Sequence, residues 1–245
     1  MTEEFTNTKI GYFGASRTPW FSLLFILPFL LCYEIGRAIT PDIAARGGVD
    51  EWLRSVPFYI GLGYSYLLPL LTIGLLLGWH YTLRKSWKIR SWHYLLWMLG
   101  EVIVYSFLLW SSWQILESVL QNAVKNLQAP PGSIGETTVS IIQTFGTGIY
   151  EELLFRLLLL SGIYLTLRRW TNMKEISIVV IAILGSAFLF SLAHYIPNGF
   201  SNFNLVEALF LFFLGVCCAV IFRIRGFGIV AGTHIAYNIF ALFSR

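Results

Sequence analysis

The stretch Ile176-Ser-Ile-Val-Val-Ile-Ala-Ile-Leu-Gly-Ser-Ala-Phe-Leu-Phe-Ser-Leu-Ala-His194-Tyr195 decides the fold class. It holds no Asp, Glu, Lys or Arg, and its single imidazole comes at the end. About 20 apolar residues in helical form cross the roughly 30 Å of a bilayer's hydrocarbon core. Working outward from it, comparable runs occupy 19–39, 57–82, 92–117 and 138–167 on one side, and 205–222 and 227–243 on the other. The fourth is long enough that it must tilt or extend beyond the bilayer. In lipid each rod must satisfy its own backbone hydrogen bonds. The expectation is therefore an all-α, polytopic transmembrane helical bundle of about seven spans, forming a single integral membrane domain over 1–245.

Composition agrees. Of the 245 residues, 56% are apolar, 17% aromatic and 12% charged. A soluble domain carries about 25% charge, so a water-soluble body is excluded. Disordered chains are poor in aromatics and rich in charge, so disorder is excluded too. The mean hydropathy is +0.68. Cys32, Cys217 and Cys218 lie in apolar runs with no CxxC spacing, and read as buried small hydrophobes.

The net charge of +4 does not call for a nucleic-acid partner, because the basic residues flank apolar runs. With the N-terminus inside, eleven of them fall in inner segments: Lys9, Arg17, Arg84, Lys85, Lys88, Arg90, Arg168, Arg169, Lys174, Arg223 and Arg225. Only Arg46, Arg54, Lys125 and Arg245 fall outside. That bias matches the positive-inside rule and predicts a multi-pass protein with a cytoplasmic N-terminus.

An ionisable group at the bilayer centre costs about 2.5–3.5 kcal/mol on insertion scales. The residues worth that cost are Glu34, Arg37, Glu101, Glu151, Glu152, Arg156, His194 and His234, with Asn238 beside them. Glu34 and Arg37 are three apart on one helix and can pair. Glu101 stands alone in the third run. Glu117, Glu207, His80 and His93 lie near run ends and can reach water by snorkelling.

The fourth run is different: Gly146-Thr-Gly-Ile-Tyr-Glu151-Glu152-Leu-Leu-Phe-Arg156. Glu152 and Arg156 are four apart, share a face and can form an ion pair. Glu151 is turned about 100° away from Glu152 on a 3.6-residue helix. It is not neutralised by that pair and is the candidate general base. Gly146 and Gly148 permit close approach of a neighbouring helix. His234 and Asn238 are again four apart, and offer an imidazole and a carboxamide as donors to an oxyanion. Each motif alone is as well explained by helix packing; the combination on separate spans is what points to a site.

The ordered set Glu151-Glu152-x-x-x-Arg156, Phe190-x-x-x-His194 and His234-x-x-x-Asn238 resembles the CAAX-protease and bacteriocin-processing (CPBP, or Abi) family of intramembrane proteases. The resemblance covers the motif-bearing half, 138–243. It implies an endopeptidase acting on a membrane-anchored peptide or protein in the lipid bilayer. It implies that Glu151 and His194 activate water while His234 and Asn238 stabilise the oxyanion. Glu152 and Arg156 match the motif's second Glu and its Arg, and are assigned to support.

Two further functions stay open: a proton-coupled transporter using Glu101 and the Glu151–His194 pair, and a non-catalytic scaffold or immunity protein on the same fold. Zinc held by Glu151, His194 and His234 is a second chemical option. No His-Glu-x-x-His spacing supports it, and asparagine is a poor zinc ligand. The expected cofactor is therefore none.

Overall fold

Among the described residues the apolar runs fold as helices. The computed structural model describes residues 11–40, 53, 67–83, 91–120, 134–196 and 203–244. A short helix α1 (Tyr12–Ser16) leads into α2 (Pro19–Ile39). The entry to α2 is built by Thr18, whose Oγ1 accepts the Phe21 N–H at 3.3 Å. Pro19 sits at the first helical position, where its missing N–H costs nothing. Then come α3 (Leu67–Thr82) and α4 (His93–Leu120). The fourth run is one unbroken rod in three parts: α5 (Ile134–Glu152), a π-helical segment (Leu153–Leu160) and α6 (Ser161–Trp170). Helices α7 (Glu175–Ala193), α8 (Leu205–Arg225) and α9 (Phe227–Phe243) complete the bundle.

Four segments are long and apolar enough to cross a membrane: Pro19–Ile39, His93–Leu116, Glu175–Ala193 and Leu205–Arg225. Helices α3 and α9 are apolar but shorter, at 16 and 17 residues. With the α5–α6 rod they are approximately consistent with seven spans. The stretch 57–66 of the second run lies outside the described residues. The α5–α6 rod begins four residues before, and ends three after, the expected 138–167. The chain is an integral membrane protein, and its outward faces show why. Ile103, Val104, Phe107 and Leu108 of α4 and Ile176, Val180 and Phe188 of α7 are exposed, a surface fit for lipid and costly in water.

Helix α9 is the central post. Every residue from Phe227 to Ile235 is buried. It packs against α2, α4, α5 and α8. A helix apolar on all sides requires such enclosure. Small residues make the approach possible. A Cβ on Gly148 of α5 would lie 2.5 Å from Ile235 Cγ1 and 2.9 Å from the Ile235 backbone nitrogen. The sequence reading of Gly148 as a contact point for a neighbouring helix therefore holds, and the neighbour is α9. Gly146 instead meets the ring of Tyr33 on α2.

Helices α8 and α9 join at Gly226 with no loop between them. Its φ of 87° lies in the left-handed region that side chains avoid. Beside this elbow, Arg225 forms a two-pronged pair with Glu101 of α4, Nε to Oε2 at 2.8 Å and a terminal nitrogen to Oε1 at 3.0 Å. That terminal nitrogen also donates to Ser16 Oγ at 2.9 Å, and Arg17 Nε donates to the Ile224 carbonyl. Glu101 thus has a partner that composition could not name. Arg225, counted among the orientation charges, is buried and structural. Glu34 likewise accepts the Tyr150 hydroxyl at 2.5 Å.

Candidate active site

Adjacent carboxylates at the end of α5 bracket one imidazole. Their side chains diverge by about 100° around the helix. Glu152 Oε1 lies 2.8 Å from His234 Nδ1, and Glu151 Oε2 lies 3.6 Å from His234 Nε2. Arg156 Nε lies 3.1 Å from Glu152 Oε2, so that carboxylate serves a guanidinium with one oxygen and an imidazole with the other. Arg156 and Glu152 are fully buried, and Glu151 and His234 nearly so. The rod turns π-helical immediately after Glu152. Such wide turns recur at functional sites, where they re-aim side chains. The Arg156 plane lies over the Phe190 ring, 4.4 Å from its centroid, and one of its terminal nitrogens donates to the Gly215 carbonyl at 3.3 Å.

Glu152 pairs with Arg156 through one oxygen and accepts from His234 Nδ1 with the other, so Nε2 is the nitrogen facing Glu151. His194 also carries a proton on Nδ1, by a different route. It caps the C-terminus of α7, and its Nδ1 donates to the Phe190 carbonyl at 2.9 Å. A carbonyl only accepts, so Nδ1 holds the proton and Nε2 presents a lone pair. Phe190 separates the two histidines: its centroid is 4.7 Å from the His194 ring and 6.0 Å from the His234 ring, edge-on to both.

A cavity of about 280 Å³ is lined by His194, His234 and Asn238 together. The three side chains that the motifs singled out on α7 and α9 therefore share one space. Glu151 is not part of that lining; it stands behind His234. The family resemblance joined Glu151 with His194, whereas the Glu151 carboxylate lies 3.6 Å from His234 Nε2. Among the described residues, no group of three or more His, Cys, Asp or Glu side chains is arranged to hold a metal ion.

Residues 133–240 match the family model described as type II CAAX prenyl endopeptidase Rce1-like. These residues are similar to an Rce1-like domain. The match is consistent with the CPBP resemblance and supports a CAAX-type protease. No curated protein and no solved structure matches the chain. The family and the membrane-spanning helices together point to a lipid bilayer and a membrane-associated substrate.

Three features of the site escaped the sequence reading. Glu152 was paired with Arg156 alone, yet it also holds His234. Phe190 entered as a motif position and proves to be the partition between the imidazoles. Glu207, read as a span-end residue reaching water, lines the same cavity as His194 and His234. Only an outward-or-inward assignment of the first turn of α8 would have found it, and hydropathy does not provide one.

Proposed function

We propose that the chain hydrolyses a peptide bond of a membrane-associated protein or peptide with water activated by Glu151. The observation that carries this reading is the bracketing of His234 by Glu151 and Glu152 beside a cavity that His194 and Asn238 also line. Glu151 takes a proton as the water oxygen attacks the carbonyl carbon. His194, through the lone pair on Nε2, orients that water. The carbonyl's π electrons move to oxygen, and the oxyanion accepts from His234 Nε2–H and from the Asn238 amide. Glu151 then returns the proton to the amide nitrogen as the C–N bond breaks.

In this role His234 carries two protons, one directed to Glu152 and one to the oxyanion. Glu151, Glu152, Arg156 and His234 then sum to no net charge, which makes a buried cluster of four tolerable. Preorganised donors in a water-poor site are typically the largest single contribution to such catalysis. The chemistry proposed is metal-free, with asparagine rather than a common zinc ligand at the fourth position.

The direct test is a membrane-tethered reporter cleaved by wild type and by Glu151→Ala, His194→Ala and His234→Ala, each checked for intact folding in detergent. Loss of a general base costs about 10²–10⁴-fold. Turnover by Glu151→Ala equal to wild type overturns the mechanism. Turnover that survives exhaustive chelation, in protein with no bound metal by elemental analysis, supports the metal-free form.

A further inference from the structure

We propose that the cavity receives a cationic group of the substrate, a lysine or arginine side chain beside the scissile bond, with Glu207 as its counter-charge. The inference rests on the reading of this cavity as the peptide-binding site and adds the chemistry of what enters it. Glu207 lies in the first turn of α8, where Asn204 Oδ1 accepts its backbone N–H at 3.3 Å. Its side chain lines the cavity that holds His194, His234 and Asn238.

The neighbouring walls are aromatic. Trp113 of α4 packs on Phe210 of α8 with centroids 4.5 Å apart, and Phe210 faces Tyr237 of α9 at 6.5 Å. All three line the cavity. Ring faces and a carboxylate around one space suit a cation, whose stem packs on the rings while its head meets the acid. No lysine or arginine is among the described lining residues. A substrate carboxylate placed there would meet Glu207, and the imidazole of His234 is already held by Glu151 and Glu152. The position of Glu207 has an independent mark. Tyr195, in the turn after α7, has its phenol pushed up to about 12, first by burial and next by the Glu207 charge. The carboxylate therefore stands near the exit of α7, on the His194 side of the cavity.

The experiment uses the full chain in nanodiscs and acylated peptides identical except at the positions flanking one central bond, which carry Lys, norleucine or Glu. Binding is read by fluorescence anisotropy with the Glu151→Gln variant, so that no cleavage is needed. A charge-assisted contact should make the Lys peptide bind about tenfold or more tightly than the norleucine peptide. Glu207→Gln added to that variant should abolish the difference, and Glu207→Lys should favour the Glu peptide. Equal binding of Lys and norleucine peptides, or a Lys preference untouched by Glu207→Gln, overturns the proposal. So does the absence of binding by every peptide. Lys-selective binding without hydrolysis by wild type upholds the cation site and sinks the peptidase reading. Hydrolysis with no Lys preference does the reverse.

Discussion

His234 is held at both of its nitrogens, and the two holds have different consequences. The Nδ1 contact to Glu152 fixes ring orientation and tautomer, as an orienting carboxylate does for a catalytic imidazole. Glu152→Gln keeps the shape but removes that charge. Its expected effect on kcat is a loss of roughly 10²–10⁴-fold with KM little changed, the size seen when an orienting acid is neutralised. Steady-state kinetics on the tethered reporter checks it. Arg156→Met strands a fully buried carboxylate, so it should destabilise the fold by about 3–5 kcal/mol, the cost of breaking a buried pair from one side. Thermal unfolding in detergent reads that loss. At this scale the sequence showed the residues and their phases but not their partners. Helical spacing placed Glu152 with Arg156 because both lie on one rod. It was silent on Glu152 with His234, which are 82 positions apart, and on Arg225 with Glu101, which are 124 apart.

Among the elements, α9 governs the site because it carries His234 and Asn238 and is enclosed on every side. Its seat against α5 depends on Gly148. Gly148→Val places branched carbon onto the Ile235 backbone, one residue from His234, where no rotamer change on Ile235 relieves it. Overpacking of this kind costs about 1–3 kcal/mol and shifts backbone. The expected result is a lower unfolding temperature together with lost proteolysis, even well below that temperature. Gly226→Ala separates the two effects. It forces a side chain into a backbone region open essentially to glycine alone, at a cost of about 1–3 kcal/mol. The site geometry lies two turns away, so activity should persist at temperatures where the fold survives. Most helix bounds were legible from hydropathy, since lipid demands continuous apolar length. The π-helical turn from Leu153 to Leu160 was not. Buried Arg156 lies within it, and no residue propensity encodes it.

Across the whole molecule, the polar groups divide between two ends. The cavity is lined by Trp113 late in α4, His194 at the end of α7, Glu207 at the start of α8 and Ser244 just past α9. Arg225, Glu101, Ser16 and Arg17 meet at the other end, where Arg223 also lies over the ring of Tyr164 on α6. We propose, on the positive-inside rule, that the basic end is the inner one. The proposed topology therefore opens the cavity on the outer face. In a chain with Cys32, Cys217 and Cys218 replaced by serine, Ser244→Cys should react with an impermeant maleimide from outside intact cells. Asn172→Cys, after α6, should react only once the membrane is permeabilised. The opposite pattern reverses the topology and leaves the catalytic proposal standing.

Lipid as solvent makes some properties readable from the chain alone. Helical class, approximate spans, the basic bias and the few polar residues worth their insertion cost all follow from local composition and period. Convergence does not, because it depends on contacts between segments far apart in the chain. Only the packed bundle decided that Glu151 and Glu152 grip one imidazole from two sides, that Phe190 parts the histidines, and that Glu207 turns inward to a cavity. The physical reason is that a hydropathy pattern specifies which groups leave water, whereas the direction a buried side chain faces is set by the neighbour that fills the space beside it.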